Sequence, residues 1–405
     1  MLYRLKNAGY QAYLVGGGVR DLLLGREPKD FDIATDALPD EVRKLFRNCR
    51  LIGRRFRLAH ILFGREVIEV ATFRAQAGDD SDDGGIQAEE NGRLLRDNVY
   101  GTLEEDAWRR DFTVNALYYN IEDFSVVDHT GGMADIEGGL LRVIGDAERR
   151  FREDPVRMLR AVRFAAKIGF RIDAESEAKI FELGHLLSDI PPARLFDEVL
   201  KLFFGGYALQ TFELLRHYHL FEYLFPATEV SLAQEENHFP HTLVMRALEN
   251  TDQRIAQGKP VTPAFLYAAL LWEPVRQQWL QLQRDGLPSQ QALSQAAQEM
   301  ITQQLASTAL PRRFSTPMQE IWFLQPRLTK RAGKRAWRLF EHPRFRAAYD
   351  FLLLCAEAGE ADREVAEWWT RFQEVDEEER KAMVRKVTPK RARRGRRPHK
   401  KSSSD

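Results

Sequence analysis

In the first third of the chain, apolar positions fall in short runs parted by glycine and charged residues. From Phe151 onward they recur at helical spacing, with no further strand. Met1 to Gly9 reads as the closing turns of a helix, with Leu2, Leu5 and Ala8 before the stop at Gly9, as though a segment preceded it. Tyr13 to Ala34, YLVGGGVRDLLLGREPKDFDIA, reads as an apolar strand, three glycines, a short helix with Arg20 and Asp21 at its start, and a second strand opening with Asp30 and Asp32. Pro39 to Phe46 predicts a helix with proline in its first turn; Ala59–Phe63 and Val67–Phe73, broken at Gly64-Arg65, predict a β-hairpin. Asp128 to Gly145 predicts a strand, a Gly131-Gly132 turn and a closing strand at Leu141–Ile144. A helix from Asp154 to Ile168 follows, and prolines at 191-192, 226, 260 and 311 break the helical remainder. The pattern predicts an α+β protein with a small mixed or antiparallel sheet over residues 1–148, helical segments over 149–215 and 216–375, and a disordered basic tail over 376–405.

Composition narrows this picture. The 405 residues suffice for two or more packed domains, and no apolar run is long enough to span a bilayer. Two cysteines, Cys49 and Cys355, argue against a disulfide framework and fit a reducing cytoplasm. The formal net charge is zero, but Asp79 to Glu90 is acidic inside a loop-like stretch, Ala77 to Gly92, while Lys381 to Lys401 is densely basic. A second basic cluster, Arg327, Lys330, Arg331, Lys334, Arg335 and Arg338, has the character of a phosphate-backbone track. Trp322, Trp337, Tyr349 and Trp368 read as core, and His238 with His241 lacks the partners of a metal site.

The candidate chemistry lies early. Gly16, Gly17 and Gly18 let backbone approach an anion, and Asp30 and Asp32, two apart on a strand, would share a face suited to hard divalent cations. The sequence has neither the Gly-Lys-Ser/Thr of a P-loop nor the spacing of a dinucleotide fingerprint. Glu69, among apolar neighbours, needs a partner, either as a third metal ligand or in an ion pair with an arginine. Arg109 and Arg110 are suited to phosphate; Asp111 reads as a helix N-cap or as part of the site. Arg157, Arg160 and Arg163 form a drifting basic stripe beside Glu153 and Asp154, and an acid next to a guanidinium can match the edge of a base.

VGGGVRD (Val15–Asp21), DFD (Asp30–Asp32), RRDFTVNAL (Arg109–Leu117) and EDPVRMLRAVRF (Glu153–Phe164) together resemble the class II branch of the polymerase β-like nucleotidyltransferases, which holds the tRNA CCA-adding enzymes and bacterial poly(A) polymerases. Arg43–Gly64, Ile190–Phe196, Lys334–Leu352 and the basic tail resemble the poly(A) polymerase members. The resemblance implies a nucleotidyltransferase head (1–148), a base-recognition neck (149–215), an RNA-binding body (216–375) and an RNA-binding tail. It implies template-independent transfer of AMP from ATP to RNA 3′ ends with two Mg²⁺ ions held by Asp30 and Asp32. Asp111 would belong to the site; Gly17, Arg20, Arg109 and Arg110 would bind triphosphate; Asp154, Arg157, Arg160 and Arg163 would form the nucleotide helix. A monomer in the cytoplasm, working with RNA-decay proteins, completes the expectation. The competing readings are a CCA-adding enzyme, which shares every catalytic motif, and a non-catalytic RNA-binding protein on the same fold.

Overall fold

The structure is a computed structural model and describes residues 1–53, 57–64, 66–75, 100–236, 239–240 and 242–387. The acidic stretch from Ala77 to Gly92, His238, His241 and the basic run from Thr388 onward lie outside the described residues. The chain divides into two compact units, one from Met1 to Pro226 with Ala306–Ala309, the other formed by the rest. The expected boundary after residue 148 falls in the first turn of a helix within the first unit.

The first unit begins with α1 (Leu2–Asn7), β1 (Ala12–Val15), α2 (Gly17–Leu23), β2 (Asp32–Thr35), α3 (Pro39–Leu45), β3 (Cys49–Ile52), β4 (Leu58–Phe63) and β5 (Glu66–Thr72). There follow α4 (Leu103–Trp108), a 3₁₀ turn (Thr113–Asn115), β6 (Leu117–Asn120), β7 (Val126–Asp128), α5 (Gly132–Gly138), α6 (Ala147–Glu153) and α7 (Val156–Ile168). The strands form one mixed sheet in the order β3-β4-β5-β2-β1-β6-β7, in which only β2 and β5 run parallel. Alternation along the strands serves two cores. Ala12 and Ile33 join one cluster with Leu5, Val42 and Val70, whereas Val15 and Ala34 join another with Phe73, Ala116 and Tyr118, so both faces of the sheet are covered.

The mixed sheet and helical body expected from the sequence are present, with local departures. Asp32 opens β2 opposite Val15, where β1 ends; Asp30 precedes the ladder because Gly16, at φ 77, has already turned the facing chain into α2. Gly131-Gly132 starts α5, and of the expected closing strand Leu141–Ile144 only Leu141 lies in a strand, β8 (Leu140–Leu141), which pairs with an unforeseen two-residue strand β9 (Arg171–Ile172), while Val143 makes an isolated bridge to Phe112. Two further short strands, Glu235–Glu236 and Phe239–Pro240, pair in the second unit.

That unit is otherwise helical, with Trp369, Phe372 and Leu328 in its core and Trp322 buried, its indole N–H donating to the Ala268 carbonyl at 3.0 Å. Helix Glu377–Val387 corrects the expectation of disorder from residue 376. Asp376 caps it at 2.9 Å, three glutamates fill its first turn, and Met383 and Val384 bury themselves beside Trp369 and Phe372. Among the described residues no helix is long and apolar enough to cross a membrane.

Candidate active site

The glycine turn and the Arg109–Asn115 segment are joined by a buried guanidinium. Arg20 is 1% exposed; its Nε donates to Asp21 Oδ1 at 2.8 Å and its Nη1 to Asn115 Oδ1 at 2.5 Å. Asp21 also meets Lys167 at 3.2 Å, and Arg26 donates to the carbonyls of Lys167 and Ile168 at the end of α7. Arg20 thus braces the glycine turn against the Arg109–Asn115 segment. Gly17 lies directly over it: a Cβ there would stand 3.5 Å from Arg20 Nη2, and one at Gly18 would press to 3.3 Å from the Asp30 carbonyl.

Across the parallel pair of strands, Asp32 stands in register with Glu69, and His60 on β4 is 3.5 Å from Glu69. Burial, then Glu69 and Asp30, push the Asp32 carboxyl above its ordinary pKa, while Arg110 pulls the other way. Crowded carboxylates of this kind are what a divalent cation would relieve, and Mg²⁺ needs only one or two of them when substrate phosphates supply the rest. Oxygen-only donors at Asp30, Asp32 and Glu69 thus fit a hard cation, although among the described residues no three acidic, histidine or cysteine side chains are gathered as a closed metal cage.

A cleft of about 560 Å³ is lined by Glu69, Arg74, Asp106, Arg109, Arg110, Asp111, Asp154, Arg157 and Arg160. Asp106, buried on α4, accepts from Arg110 Nη2 at 2.9 Å and from the Tyr118 hydroxyl at 2.7 Å; burial opposes the Arg110 charge, but Tyr118 and Asp106 outweigh it and raise its pKa. Arg109 lies 4.0 Å from the same carboxylate. Asp111 accepts from the Phe112 N–H at 2.9 Å and from Arg160, whose Nε is 3.0 Å away. Burial alone would raise the Asp111 pKa, and Arg160 with these hydrogen bonds brings it below the usual carboxylate value. Both Asp111 oxygens are thus engaged by protein, and the side chain anchors Arg160.

The acid and arginine expected to read a base are present but differently partnered. Arg157 Nη1 donates to Glu153 Oε2 at 3.1 Å and to the Arg150 carbonyl at 2.7 Å, whereas Asp154 is bridged by Arg194 Nη2 at 2.8 Å to each oxygen. The Arg163 guanidinium sits 4.7 Å from the Phe164 ring centroid, its buried Nε makes no hydrogen bond, and burial with Arg160 nearby lowers its pKa.

Three family models match the chain: the poly A polymerase head domain over residues 12–142, the "Probable RNA and SrmB- binding site of polymerase A" over 169–232, and the polymerase A arginine-rich C-terminus over 285–402. Poly(A) polymerase I of Salmonella typhi is 50% identical over 408 residues, covering 99% of this chain and 88% of that protein. The chain belongs to the poly(A) polymerase I family. Poly(A) polymerase I of Haemophilus influenzae is 48% identical over 384 residues, 94% of this chain and 85% of its own. The CCA-adding enzyme of Bacillus pumilus stands further off, 38% identical over 60% of this chain and 58% of its own. A crystal structure of the Bacillus stearothermophilus CCA-adding enzyme with CTP shares the fold at TM-score 0.57 and 27% identity, covering 92% of this chain and 80% of that one. Membership of the poly(A) polymerase I family carries polynucleotide adenylyltransferase activity on RNA with ATP, and sets aside the CCA-adding and non-catalytic readings.

Sequence reading missed several residues that shape this polymerase's cleft. Arg150 is buried on α6; its Nη2 donates to the Arg109 carbonyl at 2.8 Å and the Arg110 carbonyl at 2.5 Å, and its Nη1 to Glu153 at 3.2 Å. Its spacing of three residues from Glu153 was a usable signal. Asp106 announces itself similarly, four residues before Arg110 on α4. Arg194 had no local signal, because its partner is 40 positions away in sequence.

Proposed function

We propose that the cleft selects ATP and transfers AMP to an RNA 3′-hydroxyl without a template. The reading rests on the juxtaposition of crowded carboxylates at Asp32 and Glu69 with a cleft that Glu69 lines together with Asp154 and Arg157. Asp30 and Asp32, with Glu69 alongside, would hold Mg²⁺, which when bound acidifies the attacking hydroxyl and neutralises the triphosphate. Arg109 and Arg110 line the same cleft, where they stabilise charge spreading over the phosphates as the 3′-oxygen bonds to the α-phosphorus and pyrophosphate leaves. Gly17 keeps the backbone open to the triphosphate. Arg160, held by Asp111, extends the cationic wall, and Arg163 backs it.

Asp154 reads the adenine amino group while Arg157, steadied by Glu153, donates to a ring nitrogen. Arg194 and the Val156 N–H both donate to Asp154 Oδ1, while Oδ2 accepts from Arg194 alone and keeps a lone-pair direction for the base. Residues 1–148, 149–215 and 216–375 act as catalytic head, base-selecting neck and RNA-binding body, and the run beyond Thr388 adds RNA affinity. The protein works as a cytoplasmic monomer alongside RNA-decay proteins. Asp32→Ala should abolish AMP incorporation while RNA affinity and thermal unfolding stay as in the parent; retained incorporation would sink the mechanism.

A further inference from the structure

Six side chains join the glycine turn to α7 in a closed circuit. From α7, Arg160 donates to Asp111 at 3.0 Å, and the Asn115 amide donates to the other Asp111 oxygen at 3.4 Å. The oxygen of the same amide accepts from Arg20, which donates in turn to Asp21 at 2.8 Å. Asp21 accepts from Lys167 at 3.2 Å, and the path is back on α7. Only one orientation of the Asn115 amide satisfies both of its neighbours, so every link is a matched donor and acceptor. Arg20, Asp21 and Asn115 are buried, which strengthens the links between them. Phe164 sits on α7 between the two points of attachment, its ring 5.7 Å from Phe112 and 5.5 Å from the Arg20 guanidinium.

Arg160 and Lys167 stand on one face of α7, two turns and about 10 Å apart along its axis. Holding a helix at one point lets it tilt and slide; holding it at two fixes both. Arg26, just past the end of α2, adds a second grip at the Lys167 end by donating to the Lys167 and Ile168 carbonyls at 2.9 and 3.1 Å. These contacts hold the terminus of α7 from the helix that begins at the glycine turn, across 141 and 142 positions of sequence. A slide of α7 by about 1 Å would pass undiminished to Arg157, and misplacement of that size can cost on the order of a hundredfold in rate. We propose that Lys167, with Arg26 behind it, is a positioning residue for adenine selection: it sets the axial position of α7, and so of Arg157, against the turn that meets the triphosphate. The proposal rests on Arg157 as the base reader and adds what keeps it in place.

The test uses the full chain as Lys167→Met, which keeps the apolar stem and removes the charge, with Lys167→Arg and Arg26→Ala beside it. Asp21 keeps Arg20 in each, and Arg26 is exposed, so all three should fold; assays are run well below the unfolding midpoint of each. The readout is kcat/KM for ATP and for CTP on one short unstructured RNA. Lys167→Met should lower the ATP value by about tenfold to a hundredfold and leave CTP nearly unchanged, narrowing the ATP-to-CTP ratio by that factor. Arg26→Ala should narrow it in the same direction, and Lys167→Arg, which still reaches Asp21, should keep the parent ratio. Inhibition by inorganic tripolyphosphate, which carries no base, should not move. An unchanged ratio in Lys167→Met or Arg26→Ala, an equal loss on ATP and CTP, a ratio that Lys167→Arg does not restore, or weakened tripolyphosphate inhibition would each overturn the proposal. A parent without preference for ATP, or an Arg157→Ala variant as selective as the parent, would instead strike the reading on which it rests.

Discussion

Arg157→Ala isolates base selection from the rest of the chemistry. The guanidinium is held by Glu153 and by the Arg150 carbonyl, so it is preorganised rather than free to search. Its removal costs little structure, because Glu153 keeps its contacts with Arg149 at 3.3 Å and Arg150 at 3.2 Å. The Arg150 carbonyl loses one donor but keeps the Asp154 N–H at 3.2 Å, a loss of roughly 1 kcal/mol. A well-placed contact to a base edge is worth about 1–3 kcal/mol of discrimination, or roughly five- to a hundred-and-fifty-fold. The assay is kcat/KM for each nucleoside triphosphate in turn, on one unstructured RNA. We expect ATP to fall by a factor within that range while CTP and UTP change little, which compresses the preference. An equal loss on all nucleotides would assign Arg157 to the triphosphate, and no loss would mean another residue reads the base; either refutes the reasoning.

Other consequences follow from the same geometry. Arg150→Met removes the donor that holds the Arg109 and Arg110 carbonyls; burial and Arg157 have pulled that guanidinium down to about 10, so its own desolvation offsets part of the loss, and we expect a net destabilisation on the order of 2 kcal/mol with a raised KM for ATP. Unchanged thermal unfolding and KM would show that the clamp is idle. Asp111 has a depressed pKa, so its pairing with Arg160 contributes stability in full above an unfolded carboxylate pKa of roughly 4, and that contribution is lost as pH falls through the lower folded value. Asp111→Asn should flatten the acid limb of the stability–pH curve, and an unaltered limb would contradict the pairing. Met383→Glu should detach helix Glu377–Val387 from the Trp369–Phe372 core, with faster proteolysis there and AMP transfer to a short primer maintained; equal protection would show that the helix holds without this anchor.

Local chemistry was legible where it depended on neighbours in sequence. The glycine turn, the β4–β5 hairpin and the start of α7 follow from glycine, alternation and proline, and the residues lining the cleft were mostly recognisable from their motifs. What stayed hidden depended on partners brought together by folding. Nothing near Arg20 says that Asn115, 95 positions away, will accept from it and hold it inside. The pairing of Asp154 with Arg194 is equally a product of folding. Charge density misled at the C-terminal end: the many acids and bases after Asp376 suggested disorder, yet two apolar residues, Met383 and Val384, were enough to seat a helix.

The most direct test of the account incubates the purified chain with Mg²⁺, a labelled unstructured RNA, a tRNA lacking its CCA end, and each nucleoside triphosphate singly and together. The account predicts a long ladder on the unstructured RNA with ATP alone. Extension confined to the tRNA and stopping after C, C and A, with no ladder from ATP, would contradict it.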